Sequence, residues 1–433
     1  MRYSDNVRCV LCKGTKFLCG KKSCPLLLKI YHQIKLKPLV ENLYVSGSSP
    51  PSAFVGSFGY PNVYVGPLIP PIVGNTALLD TPELWLGKTI DEIVSFRSSL
   101  IRGMKRVNVF DFAKDNIGYL TRELCLSSIS VDAEAEFTKK PNARIILDDD
   151  VQPFGPSAPI KKLSIEDYKI DRRIEKVYED EDLNARLGIL NLYQNGIEIS
   201  KIQRILSVGA LGIKRRLVPT RWSITAVDSI ISLENIKKIK EYQSINEYRI
   251  YESWELDNRF IVLLLPTNWC YELIEAWYPE TIWNPMGHSI VIFSDSEGYE
   301  GRKKYARIGG CYYAARFAVS EYLVREKRQA GVVILREAHP GYVMPVGVWN
   351  VRENVRNALK KEFKKFDSLQ NALDYIKLRL QIPLARWVRN SKLLHEALYQ
   401  KKLEAFGIFR SAQNSSLPSS FSVSLVKKVG GLL

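Results

Sequence analysis

Residues 249 to 265 read RIYESWELDNRFIVLLL, and the fold class turns on how this stretch is read. Arg249 to Glu255 and Arg259 to Leu265 each have strand length and are rich in aromatic, β-branched and aliphatic residues. Phe260 to Pro266 is the longest apolar run in the chain, far short of the ~20 residues a membrane helix needs. Working outward, His288 to Phe293 and Gly331 to Glu337 also read as strands, and Ala314 to Lys327 reads as a helix between them. Val351 to Leu403 has helical periodicity, interrupted near Pro383. Toward the N-terminus, Ala53 to Val55 and Asn62 to Val65 read as short buried strands. Thr81, Ile90 to Leu100, Asp115 to Glu136, residues 164 to 186 and Ser223 to Glu234 read as helix starts or helices. Strand-rich and helix-rich stretches alternate without a regular repeat, so the expected fold is mixed α/β of the α+β kind with a helical C-terminal region.

With 433 residues, 46% of them apolar and 25% charged, the chain has the composition of a folded protein of two or three domains. The divisions expected are 1–35, a cysteine-rich cap with its adjoining helix; 36–160 and 161–385, two α/β regions; and 386–433, a basic helix and tail. The opening residues alternate charge and cysteine and do not read as a signal peptide, so a cytoplasmic protein with no membrane association is expected. The net charge of +16 sits mainly at the ends. Residues 1 to 40 hold nine bases against Asp5, and residues 386 to 433 hold eight against Glu396 and Glu404. A polyanion such as DNA would meet those ends, although a solvated lysine-rich surface reads the same way.

Cys9, Cys12, Cys19 and Cys24 are spaced Cys-x2-Cys-x6-Cys-x4-Cys. Four thiolates with no histidine suit one closed, tetrahedral structural zinc, and an iron–sulfur cluster uses the same ligands. The remaining three cysteines, Cys125, Cys270 and Cys311, stand alone and read as core thiols.

Three further clusters are candidates for chemistry. Residues 46 to 75 combine glycine and proline with aromatic residues, which fits either a backbone approached by a ligand or tight packing. Arg336, Glu337 and His339 leave a strand into a His-Pro-Gly turn, where they would supply a phosphate-binding cation, an acid and a base, or else an internal ion pair and a turn cap. Lys214, Arg215 and Arg216, followed by Arg221 and Trp222, form a basic run with an aromatic residue able to stack on an unpaired base, unless Trp222 is in the core. Tyr312, Tyr313 and Arg316 read either as a smaller patch of the same kind or as the packed side of a helix. Asp148 to Asp150 read as an exposed turn or, less simply, as part of a two-metal centre.

The four-cysteine element ending in Pro25, the segment from Phe54 to Leu68, Gly309-Gly-Cys-Tyr-Tyr-Ala-Ala-Arg316 and Arg336-Glu-Ala-His-Pro-Gly-Tyr342 together resemble the Nre family of archaeal DNA repair proteins. The resemblance implies a role in the DNA damage response, a four-cysteine zinc finger, and a C-terminal motif that docks on the sliding clamp. Gln400, Leu403 and Phe406 fall on three positions of that motif, while Gly407 stands where a second aromatic residue is expected. The same side chains also suit packing of a last helix on the core. The function expected is therefore a DNA repair protein that binds DNA, a replication protein such as the sliding clamp, or both. The alternative is an enzyme acting on DNA or a nucleotide in a pocket made by the glycine-rich segment with Arg336, Glu337 and His339.

Overall fold

The computed structural model describes residues 24, 41–141, 154–279, 281, 283–284, 288–342 and 345–399. Cys9, Cys12, Cys19, His32, Asp148 to Asp150, Gln400, Leu403 and Phe406 lie outside them. Two six-stranded sheets with eleven α-helices account for most of the described residues, a mixed α/β fold.

The first sheet contains β1 (Tyr44–Ser49), β2 (Ala53–Val55), β3 (Asn62–Ile69), β4 (Ile101–Asn108), β5 (Val131–Phe137) and β6 (Ser157–Ile165), in the order β1-β5-β6-β4-β3-β2. All neighbours are antiparallel except β4 and β6. In β5, Val131, Ala133, Ala135 and Phe137 are buried while Asp132 and Glu134 face solvent, the two-residue alternation of a sheet with one wet face. The chain there, VDAEAEF, had read as the end of a helix because alanine and glutamate favour helices. The helix instead stops at Leu126, and burial of the alternate residues against the core overrides propensity. The helix expected from Thr81 is likewise reduced to a single 3-10 turn at Pro82–Leu84, and the charged stretch from 164 divides between the end of β6 and a short helix.

Helices α1 (Ile90–Ser98) and α2 (Asn116–Leu126) belong to this half. α1 starts at a capping box in which Thr89 and Glu92 satisfy each other's backbone N–H groups. A helical layer follows: α3 (Arg172–Glu179), α4 (Ala185–Gln194), α5 (Ile199–Ser207) and α6 (Thr220–Ile239). Its apolar faces share one core with the first sheet.

The second sheet contains β7 (Tyr248–Glu255), β8 (Asn258–Leu265), β9 (Cys270–Trp277), β10 (Val291–Glu297), β11 (Gly331–Ala338) and β12 (Lys364–Phe366), in the order β10-β9-β11-β8-β7-β12. β7 and β8 are joined through Leu256 and Asp257, both with positive φ, the twist a two-residue hairpin turn needs. β11 enters between β9, to which it is parallel, and β8, to which it is antiparallel. Every residue of β11 is buried, because both faces of the sheet are covered. Val332 and Ile334 face α7 (Gly310–Glu326) and α8 (Trp349–Lys360). Val333 and Leu335 face α9 (Leu369–Arg379), α10 (Leu384–Asn390) and α11 (Lys392–Tyr399). The helical break expected near Pro383 is present, between α9 and α10.

α6 joins the halves. Its Asp228 is fully buried and receives both Arg352 Nη1, at 3.0 and 3.2 Å, and Gln203 Nε2 at 3.1 Å. Arg352 in turn pairs with Glu353, and Arg356 bridges Glu353 and Glu321. A buried network of this kind is stable only when its members are all partnered, which fixes α6 against α5 and α8.

Candidate functional site

The glycine-rich segment folds as a hairpin. Gly56 donates to the Tyr64 carbonyl at 2.8 Å and Asn62 to the Gly59 carbonyl at 2.9 Å, closing the turn between β2 and β3. Gly59 has φ +79°, open to glycine at no steric cost. Elsewhere the glycines serve packing: a Cβ on Gly66 would lie 2.1 Å from the Gly103 carbonyl oxygen of β4. Between the two readings of this segment, close backbone packing accounts for that residue.

The hairpin tip projects Phe58, 91% exposed, and Tyr60. It rests on the first turn of α6. Val55 N donates to Thr220 Oγ1 at 3.0 Å, which occupies a backbone donor on the edge strand β2. The Tyr60 ring lies 5.2 Å from the Trp222 ring, tilted by 48°. Trp222 is 49% exposed, so it is not a core residue. Arg221 beside it is exposed, as are Lys214 and, on β4, Arg106. A turn later, Tyr305 stands beside Thr225 and Arg221 with its ring 5.2 Å from that of Tyr313. Lys303, Lys304 and Arg307 around it are exposed. Aromatic faces and cations from three distant segments, 58–60, 221–222 and 303–307, thus meet at one end of α6.

Arg215 does not join this surface. Its backbone adopts φ +44°, and its guanidinium donates to the carbonyls of Ala210 at 2.7 Å, Tyr178 at 2.5 Å and Asp180 at 3.2 Å, tying α3 to the loop before α6. Arg216 is half-buried. The patch expected from Tyr312, Tyr313 and Arg316 is internal: Arg316 Nη1 lies 2.7 Å from Glu297, and the Tyr312 hydroxyl donates to the same carboxylate at 3.0 Å.

Arg336, Glu337 and His339 do not form one constellation. Alternation along β11 sends Arg336 to the α7 face and Glu337 to the α9 face. All three Arg336 nitrogens are occupied: Nη1 donates to Glu275 at 2.6 Å, and Nε and Nη2 donate to Asn258 Oδ1 at 2.9 and 2.8 Å. Glu337 accepts backbone N–H groups of Ile382 at 2.9 Å and Gln381 at 3.3 Å, fixing the α9–α10 connection. His339 Nε2 lies 3.2 Å from the same carboxylate, its ring stacked on Tyr278 at 4.6 Å. Among the described residues, no hydrogen bond, ion pair or ring contact joins these three to residues 54–67. β2 and β3 lie in one sheet and β11 in the other. Arg336 and Glu337 are thus each internally partnered, but not with each other: the ion pair of Arg336 is with Glu275, and the His339 ring faces Glu337. Of the other histidines, His288 is exposed and His395 packs beside Tyr399. No helix among the described residues is long and apolar enough to cross a membrane.

Comparison with known proteins agrees over nearly the whole chain. Residues 18–284 match the family model described as archaeal Nre, N-terminal, and residues 297–406 match archaeal Nre, C-terminal. The chain is 41% identical to DNA repair protein NreB of Archaeoglobus fulgidus over 387 residues, covering 89% of this chain and 96% of the relative. It is 38% identical to DNA repair protein NreA of the same organism over 87% of this chain and 94% of the relative. To DNA repair protein NreA of Haloferax volcanii it is 35% identical, over 83% and 89% respectively. No solved structure matches.

Proposed function

The chain belongs to the archaeal Nre family, and from that membership we propose that it acts in DNA repair by binding DNA across the aromatic and basic surface at the start of α6. One observation carries the reading: Trp222, Tyr60, Phe58 and Tyr305 stay exposed, with Tyr60 against Trp222 and Tyr305 beside Arg221, and the neighbouring segments carry the exposed cations Lys214 and Lys304. Large exposed aromatic residues cost solubility without a partner, and interleaved with cations they match the stacked bases and phosphates of a nucleic acid. The tilted ring contact of Tyr60 and the fixed start of α6 hold Trp222 in place before DNA arrives, so little ordering is required on binding.

Fluorescence anisotropy with single-stranded, gapped and duplex DNA at increasing salt tests this. Trp222→Ala is expected to weaken binding by ~1–3 kcal/mol, most for DNA with unpaired bases. Arg221→Ala is expected to lower the salt slope by about one phosphate contact. Absence of binding at low salt, or wild-type affinity of the Trp222→Ala protein for every DNA form, would overturn it.

Family membership also supports two smaller assignments. Cys9, Cys12, Cys19 and Cys24 form a donor set of four sulfurs that fits one closed zinc, which would fold the N-terminal cap and leave no position for substrate. Elemental analysis of metal-replete protein should return one zinc per chain; none would refute it. Gln400, Leu403 and Phe406 are the segment that would dock on a sliding clamp, and Phe406→Ala should abolish calorimetric binding to the clamp. Unchanged affinity would remove the assignment.

A further inference from the structure

Away from the α6 surface, Arg102 in β4 is 6% exposed, and its side chain donates to no acceptor among the described residues. Its guanidinium lies over the Phe54 ring at 3.6 Å and the Phe154 ring at 4.1 Å. Nε is buried without a partner. The nearby charges are otherwise matched. Asp80 accepts from Arg97 Nη1 and Ser52 Oγ and lies 3.5 Å from Arg204 Nε, and Glu83 lies within electrostatic reach of Arg204. Arg97 in turn is close enough to Arg102 to repel its charge, and Arg97 Nε is also buried without a partner. Arg97 and Arg204 thus share Asp80, and among the described residues no carboxylate pairs with Arg102.

An isolated buried charge is among the costliest features a fold can carry, and two aromatic faces offset only part of that cost. With the faces of the guanidinium covered, its edge of parallel N–H groups remains, the geometry that binds a tetrahedral oxyanion through two hydrogen bonds. We propose that Arg102, with Arg97 behind it and Phe54 and Phe154 as walls, forms a binding site for a phosphate group, either free phosphate or the terminal phosphate of a nucleotide or DNA strand. The negative charge of a phosphomonoester would supply the counter-charge that no described carboxylate gives Arg102.

The test uses the full chain. Thermal unfolding is followed with inorganic phosphate, with adenosine monophosphate, and with one oligonucleotide carrying either a 5′-phosphate or a 5′-hydroxyl, against chloride at matched ionic strength. Phosphate is expected to raise the midpoint in a concentration-dependent way. Arg102→Met should lose that response and, without phosphate, unfold no earlier than wild type, because an unpaired buried charge has been removed. Arg102→Lys, which keeps the charge but not the fork, should bind about tenfold more weakly or worse. A stronger response to the 5′-phosphate than to the 5′-hydroxyl oligonucleotide assigns the site to strand ends; a response to inorganic phosphate alone assigns it to the free ion. Trp222→Ala should leave the response intact, which separates this site from the α6 surface. The proposal is overturned if wild type responds to none of these phosphates, if Arg102→Met or Arg102→Lys responds as wild type does, or if Arg102→Met is destabilised in phosphate-free buffer.

Discussion

Arg336→Met distinguishes an internal strut from a phosphate-binding cation. In the folded protein Arg336 is 2% exposed and gives one hydrogen bond to Glu275, itself 5% exposed, and two to Asn258 Oδ1. Methionine fills much of the same volume but leaves the Glu275 carboxylate buried without its cation. Breaking a buried pair in this way costs about 3–5 kcal/mol. Adding Glu275→Leu removes the orphaned charge, and what then remains is the Asn258 oxygen without a donor, a residual cost of about 1–3 kcal/mol. The double variant should therefore be more stable than the single one, an order no surface role produces. Urea unfolding followed by tryptophan fluorescence reads it directly, since Trp277 lies 4.7 Å from the guanidinium. A single variant within ~0.5 kcal/mol of wild type, the range of ordinary surface substitutions, would refute the reasoning, as would a double variant less stable than the single.

Three other outcomes follow from the geometry. Gly66→Ala sets a methyl group 2.1 Å from the Gly103 oxygen and should destabilise the first sheet by on the order of 2 kcal/mol or more, seen as a lower urea midpoint; an unchanged midpoint would mean that β3 and β4 separate easily. Burial, reinforced by Arg204, pushes the Lys201 ammonium down to about 7 from its ordinary 10.5, so above pH 7 the unfolded chain binds the extra proton and stability should rise with pH. That rise is best read between pH 7 and about 8, below the ~8.5 at which unfolded thiols titrate, and Lys201→Met should flatten it by about one proton; an identical slope in the variant would refute the shift. Glu337→Ala removes the acceptor for the Gln381 and Ile382 N–H groups and should speed hydrogen exchange there before global unfolding, whereas unchanged exchange would mean that the carboxylate does not hold the α9–α10 connection.

How much was legible in sequence depended on whether burial followed local pattern. β8 and β11 were read almost to the residue because strands buried on both faces are continuous apolar runs. β9, Cys270–Trp277, was not read at all, since Glu272 and Glu275 break its pattern. Both are buried: Glu275 pairs with Arg336, and Glu272 accepts from Ser391 Oγ and the N–H groups of Lys392 and Leu393. Partners over 60 residues away leave no trace in a local window. At the candidate interface, Arg221 and Trp222 were visible because they are adjacent. Phe58, Tyr60 and Tyr305 were not linked to them, because only the hydrogen bond from Val55 to Thr220 and the placing of Tyr305 beside Thr225 bring them together. Arg102 gave no signal, since a cation with no acceptor among the described residues is defined by absent neighbours.

The strand order of the second sheet has a consequence for dissection of the protein. β7, β8 and β9 fall within the N-terminal family match, and β11 and β12 within the C-terminal one, yet β11 lies between β9 and β8. The sequence boundary therefore does not divide two autonomous bodies. A polypeptide ending near residue 284 would present two unsatisfied strand edges around a missing centre, and the complementary piece would carry the missing strand with α7 and α8. Such fragments behave as halves of a split protein, sticky alone and competent once recombined.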